Sequence, residues 1–230
     1  LREGSPLAGS ETNRKQEAEA EGFQCQAITD VVKNCDIISL LIQDQVMGEV
    51  YSEKIAPHLT EGQSLLFSHG YNIHYKLIQP PDNVNVIMAA PSGAGTELRK
   101  RYLDGKGIPG LFAVYKDYSG NAEAMVLAYC KAIGLTKSGV LRSTFREETE
   151  TDLFGEQVIL TGGIPKLIQS SYKVLLDAGY SAVTAWFVCY YELKTIVDLF
   201  HSKGFEFMNS AISDTAEYGG ITRGSRIIDQ

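Results

Sequence analysis

The stretch TFREETETDLFGEQ, residues 144–157, divides the chain into two parts of different character. It contains one cation and five carboxylates, which are Glu147, Glu148, Glu150, Asp152 and Glu156. Thr149, with Asp152 three residues later, predicts the start of a helix, because a hydroxyl cap and an acid in the first turn satisfy N–H groups that lack a partner within the helix. Asp152 and Glu156 would then lie four residues apart on one face of that helix.

The pair Asp152 and Glu156 allows two interpretations. Like charges four residues apart repel each other, and carboxylates beside Leu153 and Phe154 are costly to bury unless a cation pairs with them. A divalent cation that prefers oxygen ligands would remove both costs. The alternative is a solvated acidic helix start, which the helix dipole favours. The spacing alone leaves both interpretations open.

Before this stretch, apolar runs typical of strands alternate with helical patterns. The runs are Cys35–Ile42, Ser64–Gly70, Asn83–Pro91, Gly110–Asp117 and Ser138–Phe145. Their alternation with helices predicts right-handed βαβ units and a mostly parallel sheet. The run Cys35–Ile42 is rich in β-branched apolar residues, which predicts a strand buried on both faces. Ligands bind such sheets at the carboxyl ends of the strands, which here are Arg2–Ser5, Gln43–Asp44, His69–Gly70 and Pro91–Gly95.

After this stretch the pattern is helical, with no convincing strand between residues 149 and 218. Gly162-Gly163 interrupts the first helix. The segment Ala185–Phe200 is apolar nearly all round, which is typical of a helix buried in a large core or an interface. Glu192 stands out within it as a carboxylate among aromatic residues. We therefore predict an α/β domain followed by an all-α domain, with limits 1–143 and 144–230.

The composition argues against some classes of partner. Hydrophobic residues make up 44% of the chain and charged residues 21%, which is typical of a soluble globular protein. The net charge of -7 argues against a nucleic-acid or anionic-membrane surface, because phosphate binding needs clustered Lys and Arg. We find no membrane-spanning apolar run and no signal peptide. The four cysteines form no CxxC pair and suit a reducing compartment. We expect a cytoplasmic protein, or a plastid protein if the source is a plant or an alga.

Several pieces of the sequence, in order over essentially the whole chain, carry a family resemblance. They are LREGS (1–5), HGYNIH (69–74), APSGAG (90–95), DYSGNA (117–122), TFREETETDLFGEQ, YELKTIVDL (191–199) and ISDTAEYGG (212–220). In these pieces the chain resembles ketol-acid reductoisomerase, the acetohydroxy acid isomeroreductase of branched-chain amino-acid synthesis. The resemblance implies an α/β Rossmann-type domain joined to an all-α knotted domain.

The resemblance also implies a reaction and its cofactors. The reaction is an Mg²⁺-dependent alkyl migration on 2-acetolactate or 2-aceto-2-hydroxybutyrate, followed by reduction with NADPH. The migration needs a polarised ketone and a stabilised alkoxide, which two adjacent Mg²⁺ ions provide as Lewis acids. By the matching motifs, Asp152 bridges the two ions, Glu156 binds one of them and Glu192 binds the second. The plainer alternative for Glu192 is a salt bridge, although a carboxylate buried among aromatic residues would need a counter-charge.

Two further residues take active-site roles by resemblance. His69 matches the family's active-site histidine, and Ser213 matches the serine that contacts the substrate. From the residues alone, each has a plainer alternative. His69 would be a core histidine at the end of a strand, and Ser213 would be the N-cap of a helix.

The cofactor positions follow from the resemblance in the same way. Arg2 and Ser5 match the turn that holds the 2'-phosphate of NADPH, where a guanidinium suits a phosphate dianion. The alternative for that pair is an ordinary surface turn. Asp44, Gln45 and Gly95 match positions that contact the cofactor.

The sequence departs from the family pattern at several points. The Gly-rich turn of the first βα unit is absent, because the chain begins after the point where that turn should lie. We expect the cofactor pyrophosphate to lose a helix N-terminus as a result. Ser92 stands where the family has a lysine, and Val188 stands where it has the first glutamate of an E-x-x-x-E pair. The chain also stops where relatives continue with another helix.

Together these features predict a ketol-acid reductoisomerase that binds NADPH, Mg²⁺ and a small-molecule substrate, and neither nucleic acid nor a membrane. One alternative is a catalytically weakened relative that keeps the fold. Another is a different NAD(P)-dependent dehydrogenase with the same two-domain plan. The apolar segment Ala185–Phe200 predicts a homodimer or a higher homo-oligomer, because a helix that is hydrophobic all round must be covered.

Overall fold

The computed structural model describes residues 7–8 and 13–228, which form two compact units. The first unit is Leu1–Leu153 and the second is Phe154–Gln230. The predicted domain limits, 1–143 and 144–230, stay a prediction. Within the described ranges, every helix is too short or too polar to span a lipid bilayer.

The first unit alternates strands with helices, as the sequence predicts. Its strands are β1 (Leu7–Ala8), β2 (Cys25–Gln26), β3 (Ile37–Leu40), β4 (Ser64–Phe67), β5 (Asn85–Pro91), β6 (Gly110–Lys116) and β7 (Val140–Arg142). Its helices are α1 (Asn13–Ala20), α2 (Ile28–Asn34), α3 (Asp44–Val50), α4 (Tyr71–His74), α5 (Gly95–Leu103), α6 (Ala122–Ala132) and α7 (Phe145–Gly155), the last of which ends in the second unit. A π turn, Tyr51–Ile55, continues α3.

Strands β3 to β7 form one sheet in chain order, and β1 pairs with β2 in a separate sheet. The pairs β3–β4, β4–β5 and β6–β7 are parallel, so the predicted mostly parallel sheet is confirmed. The pair β5–β6 is antiparallel, with Pro91 opposite Gly110, which the sequence did not indicate. Residues 104–109, which include Gly105 at a φ of 71°, turn the chain back so that β6 begins beside the end of β5.

The central strands are buried on both faces, because their side chains alternate between two hydrophobic clusters. On β4, Phe67 belongs to one cluster and Leu66 to the other. On β5, Met88 and Ile87 alternate in the same way. This alternation explains why these strands have nearly continuous apolar runs.

Strand β3 departs from the prediction. Its residues alternate between exposed and buried, so the prediction of a strand buried on both faces is wrong. Ile38 and Leu40 face the core, whereas Ile37 is exposed. In the described part of the chain, β3 pairs only with β4, so it lies at an edge of its sheet and only one face is fully covered.

The second unit is all-helical, as the sequence predicts. After the end of α7 it contains a π turn (Glu156–Leu160), α8 (Gly163–Asp177), α9 (Ala182–Trp186), a second π turn (Phe187–Tyr191), α10 (Glu192–Lys203), α11 (Phe205–Ala211) and α12 (Asp214–Gly224). Ser181 caps α9, with its Oγ accepting a hydrogen bond from the Thr184 N–H at 3.2 Å. The knot stays a prediction.

The apolar segment of the second unit is not buried in a core of the described chain. Ala185 is buried, but Trp186 is 45% exposed and Tyr191 is 61% exposed. Glu192 is exposed too, so the prediction that this carboxylate is buried is wrong. The apolar side chains are distributed all round the helix, and the described part of the chain leaves several of them uncovered. The interface that the sequence offered as the other explanation stays a prediction.

Candidate active site

Three strands of the first unit end at the same edge of the sheet, here called the carboxyl edge. Because β3, β4 and β5 are parallel, the segments that follow them, residues 41–44, 68–70 and 91–95, meet there. His69 follows β4 and precedes α4, which begins at Tyr71. The structure therefore places His69 at the edge where the sequence predicts ligand binding.

Helix α7 begins at Phe145, so the prediction that Thr149 caps it is wrong. Thr144 is the cap, because its Oγ1 accepts a hydrogen bond from the Glu147 N–H at 3.0 Å. Thr149 is fully buried one turn later, and its hydroxyl donates to the Phe145 carbonyl at 2.7 Å. Phe145 packs edge-on against Phe67, with ring centroids 6.1 Å apart, which anchors the helix start in the core.

Glu148, near the start of α7, is the buried carboxylate of the site. Its Oε1 lies 2.9 Å from Nδ1 of His69, and its Oε2 accepts a hydrogen bond from the Gly70 N–H at 2.8 Å. An ionised carboxylate can only accept, so the proton in the first contact is on Nδ1. Nε2 is then the ring nitrogen at which His69 can give or take a proton.

Gly70 allows this close contact. A Cβ at position 70 would lie 2.5 Å from Oγ1 of Thr149, 2.6 Å from the Phe145 carbonyl oxygen and 3.0 Å from Oε2 of Glu148. The backbone of the His69 turn can therefore rest on α7 only because residue 70 has no side chain. Its φ of -81° is ordinary, so the requirement is for space rather than for an unusual conformation.

Asp152 lies one turn after Glu148 on α7, and its side chain is 57% exposed. Its Oδ2 is 3.7 Å from Nδ1 of His69. One ligand atom each of His69, Glu148 and Asp152 lie within 4.8 Å of one another, and no other such trio of His, Cys, Asp or Glu occurs in the described part of the chain. The two carboxylates supply the oxygen atoms that a hard divalent cation prefers, whereas the His69 ring presents its protonated nitrogen to them. Asp152 is the better oxygen donor, because both Glu148 oxygens already contact the His69 turn.

The surroundings of His69 favour its protonated form. The hydrogen bond to Glu148 raises the pKa of His69 above its ordinary 6.5, although partial burial of the ring acts in the opposite direction. The charges of Glu148, Asp44 and Asp152 add to the increase in pKa. His69 thus lies between a buried carboxylate and an exposed one.

This raised pKa predicts a pH dependence of stability in metal-free buffer. A histidine whose pKa is higher in the folded state contributes stability that is complete below its unfolded pKa and is lost as the pH rises through its folded pKa. We therefore expect the free energy of unfolding to fall as the pH rises above about 6.5, the ordinary pKa of histidine. Urea unfolding with EDTA present measures the free energy of unfolding at each pH. An NMR titration of His69 checks its pKa directly.

The matched variants are Glu148→Gln and Glu147→Gln. Glu148→Gln removes the hydrogen-bonded charge, so the pKa of His69 should fall and this part of the pH dependence should flatten. Glu147 is an exposed neighbour that contacts Ser143 instead, and its variant should keep the native profile. An unchanged pKa of His69 in Glu148→Gln would show that the contact does not control this histidine.

Asn72 links the His69 segment to the start of α3. It is fully buried, and its Nδ2 donates to Oδ1 of Asp44 at 2.9 Å. The segments after β3 and β4 are thereby tied together at the carboxyl edge. Asp44 thus lies close enough to His69 to influence its pKa, as its predicted place at a strand end implies.

The other candidates for cofactor binding are Arg2, Ser5, Gln45 and Gly95. Arg2 and Ser5 lie outside the described residues. Gln45 is exposed on α3, and Gly95 is exposed at the first position of α5. Their contacts with a cofactor stay predictions.

The other candidates lie in the second unit. Glu156 is half-buried at the first position of a π turn, and Glu192 is the first residue of α10. Ser213 caps α12, because its Oγ accepts a hydrogen bond from the Ala216 N–H at 3.3 Å, which confirms the structural alternative for this residue. The metal roles of Glu156 and Glu192 and the substrate role of Ser213 stay predictions.

From the sequence, Glu148 is one of the carboxylates of the acidic stretch and has no predicted role, because the predicted helix start at Thr149 lies one residue after it. With the start at Phe145, Glu148 and Asp152 are four residues apart on one helical face. Correct placement of the cap is therefore the signal that could have found Glu148.

Two family models match the chain. The acetohydroxy acid isomeroreductase NADPH-binding domain matches residues 7–139, and the ketol-acid reductoisomerase C-terminal domain matches residues 145–230. They follow each other in the order of the α/β and helical parts described above.

Individual relatives agree with the two models. The ketol-acid reductoisomerases (NADP(+)) of Petrotoga mobilis and Methanocaldococcus jannaschii are each 50% identical to the chain, over 95% and 91% of its length. The chain spans 66% and 64% of those two proteins. The solved structure of an NADH-preferring ketol-acid reductoisomerase from an uncultured archean has a TM-score of 0.93 at 43% identity, over 97% of this chain and 68% of that one.

Proposed function

The chain belongs to the ketol-acid reductoisomerase family, and from this premise we propose that it carries out the two-step isomeroreduction. The substrates are 2-acetolactate or 2-aceto-2-hydroxybutyrate, and the products are 2,3-dihydroxy acids of valine and isoleucine synthesis. The first step is an Mg²⁺-dependent alkyl migration, and the second is reduction by NADPH. The chain spans less than two thirds of the length of the first two relatives, so the activity of those whole proteins is proposed for it here.

The observation that supports the proposal best is the trio of His69, Glu148 and Asp152 at the carboxyl edge of the sheet. It combines a histidine of fixed proton position, a buried carboxylate and an exposed carboxylate. Acid–base chemistry on a hydroxy ketone needs the first two groups, and a divalent cation needs the third. His69 lies in the domain that matches the NADPH-binding model, and Glu148 and Asp152 lie just beyond its last matched residue.

We assign separate roles to the residues of the site. Glu148 holds the proton on Nδ1 of His69, which leaves Nε2 as the ring nitrogen for proton transfer. We assign to Nε2 the transfer of the substrate hydroxyl proton. The carboxylates of Asp152, Glu156 and Glu192 are the metal ligands that the resemblance implies. When bound, Mg²⁺ supplies Lewis-acid polarisation of the ketone.

A weakened relative is the second candidate, and two residues favour it. Ser92 follows β5 at the carboxyl edge and is exposed, with its N–H bound to the Pro109 carbonyl at 2.9 Å. It has a neutral hydroxyl where the family pattern has an ammonium. Val188 is 49% exposed and puts an isopropyl group where the pattern has a carboxylate. We therefore expect slow turnover rather than a different reaction.

We further propose that the protein assembles with a second copy of itself. The apolar side chains around the second π turn are extensively exposed in the single chain, and Trp186 and Tyr191 belong to one aromatic cluster. Large exposed apolar patches mark interaction sites. Packing against an identical helix would remove these aromatic side chains from water in both copies, because symmetric homo-oligomers use the same surface on each subunit.

The test of the proposed function is NADPH oxidation with 2-acetolactate, with and without Mg²⁺. We expect a slow rate that requires both the substrate and the metal. Asp152→Asn should lower that rate at least ~10²-fold, because it removes a ligand whose charge stabilises the transition state. Glu150→Gln is the control, since Glu150 is an exposed carboxylate of the same helix that contacts His74 and Arg146 instead. Equal rates in the native protein and Asp152→Asn would reject the assignment.

Cofactor preference gives a separate prediction. If Arg2 binds the 2'-phosphate, the protein should have a higher kcat/KM with NADPH than with NADH. Arg2→Ala should narrow that ratio about tenfold, which corresponds to the loss of one charge-assisted hydrogen bond. Steady-state kinetics with both cofactors measure the ratio. Preference of the native protein for NADH, the preference named for the solved relative, would overturn the role given to Arg2.

A further inference from the structure

The carbonyl group of Glu156 is held by the residue that ends its π turn. The Thr161 N–H donates to it at 2.6 Å, and the Thr161 hydroxyl donates to it at 2.7 Å. Two donors on one carbonyl oxygen fix the orientation of the peptide that follows Glu156. The π turn also adds one residue to the helical turn, which rotates the following side chains by about 100° relative to a regular helix.

The two residues after Thr161 must be glycines for a steric reason. A Cβ on Gly162 would lie 1.8 Å from the Gln157 carbonyl oxygen, and a Cβ on Gly163 would lie 2.0 Å from the Val158 carbonyl oxygen. These neighbours are backbone atoms, so no side chain can rotate away to make room. Gly162 has a φ of -101°, which other residues adopt readily, so conformational freedom is not the reason for glycine here.

We propose that Thr161, Gly162 and Gly163 form a positioning element for the carboxylate of Glu156. Thr161 holds the start of the π turn, and the two glycines let the chain pack closely against the Gln157 and Val158 carbonyls at the start of α8. The backbone that carries the Glu156 side chain is thereby fixed in place. The inference rests on the proposed function only in giving Glu156 a metal to bind.

The requirement for glycine is specific to these two positions. A Cβ added to Gly155, immediately before the π turn, would meet no atom within 4 Å outside its own helix in the described part of the chain. The φ of -61° and ψ of -46° at Gly155 are ordinary helical values. Gly155→Ala is therefore a matched control, one residue away from Glu156 on the other side.

The test is Mg²⁺ binding by calorimetry, with amide hydrogen exchange of Thr161 as a readout that needs no metal. Gly162→Ala and Thr161→Val should each raise the Mg²⁺ Kd about tenfold, as is typical when a residue that orients a metal ligand is lost. Both variants should speed hydrogen exchange at the backbone amide of residue 161. Thr161→Ser keeps the hydroxyl donor, so its Mg²⁺ Kd and its amide exchange rate at residue 161 should be native. Gly155→Ala should also have native values of both. Since Gly162→Ala could fail to fold, the Thr161 pair decides the outcome in that case.

Glu156→Gln separates this inference from the proposed function. If Glu156→Gln weakens Mg²⁺ binding but Thr161→Val does not, the positioning inference is overturned and the metal assignment stands. If Glu156→Gln leaves the Mg²⁺ Kd unchanged, the metal assignment of Glu156 fails, and the inference fails with it. Weaker binding in Glu156→Gln, Gly162→Ala and Thr161→Val, with native binding in Gly155→Ala, supports both.

Discussion

Gly70→Ala is expected to lower the free energy of unfolding by about 3 kcal/mol and to separate His69 from Glu148. The added Cβ would collide with Thr149 and with the backbone carbonyl of Phe145, both within 2.6 Å of its position. Overpacking of this kind costs about 1–3 kcal/mol. Moving the turn away from α7 also leaves the buried Glu148 carboxylate without its amide donor, which adds about 1–3 kcal/mol.

Urea unfolding and activity measure the two parts of this prediction. Gly48→Ala is the control. Gly48 lies within helix α3, and a Cβ there would be 3.6 Å from the Leu77 carbonyl oxygen, which is an ordinary van der Waals distance. That variant should be as stable as the native protein or more stable by up to about 1 kcal/mol, the difference in helix propensity. Native stability in Gly70→Ala would mean that the turn and α7 are not in the close contact described.

The second large effect concerns turnover. Ser92→Lys combined with Val188→Glu is expected to raise kcat about 10²–10³-fold, because each restores a charged group that the family pattern contains. A lysine at position 92 adds a cation at the carboxyl edge. A glutamate at position 188 adds a carboxylate one turn before Glu192, so that the two can share a metal as neighbours on a helix.

Steady-state kinetics of the native protein, the two single variants and the double variant test this prediction. The two changes act on one site, so the double variant should turn over faster than either single variant. Ser92→Met is a useful control, because it adds length without charge. If the native protein already turns over as fast as the double variant, the two positions do not have the family's roles here, and the second metal site is assigned wrongly.

The sequence predicted the elements whose local pattern agrees with their burial. Strands β4 and β5 have nearly continuous apolar runs because both faces are covered, and the helical pattern after residue 149 matches an all-helical unit. His69 was placed at a strand end by the same reasoning. These features depend on residues close together in the chain, so a local pattern is sufficient.

The features that the sequence missed depend on distant contacts. Thr144 and Thr149 both have an acid three residues later, and local rules cannot choose between them. Packing of Phe145 against Phe67 and Tyr115 decides for Thr144. The partner of Glu148 lies 79 residues earlier, so no spacing in the acidic stretch could identify it.

The burial of two apolar segments could not be predicted for a related reason. The pattern of β3 and of Ala185–Phe200 shows that the residues are apolar, but it does not show how many neighbours are available to cover them. In the described chain, β3 has a strand on one side only, and Trp186 remains 45% exposed. Apolar composition predicts a need for burial, whereas topology and assembly decide whether that need is met.

We propose that this protein moves an alkyl group before it reduces the substrate. The most direct measurement is ¹³C NMR of the product formed from 2-acetolactate labelled in its migrating methyl group, with NADPH and Mg²⁺. We predict that the label appears on the carbon next to the one that carried it, in 2,3-dihydroxy-3-methylbutanoate. A dihydroxy acid with the label on its original carbon would show reduction without migration, and would contradict the claim.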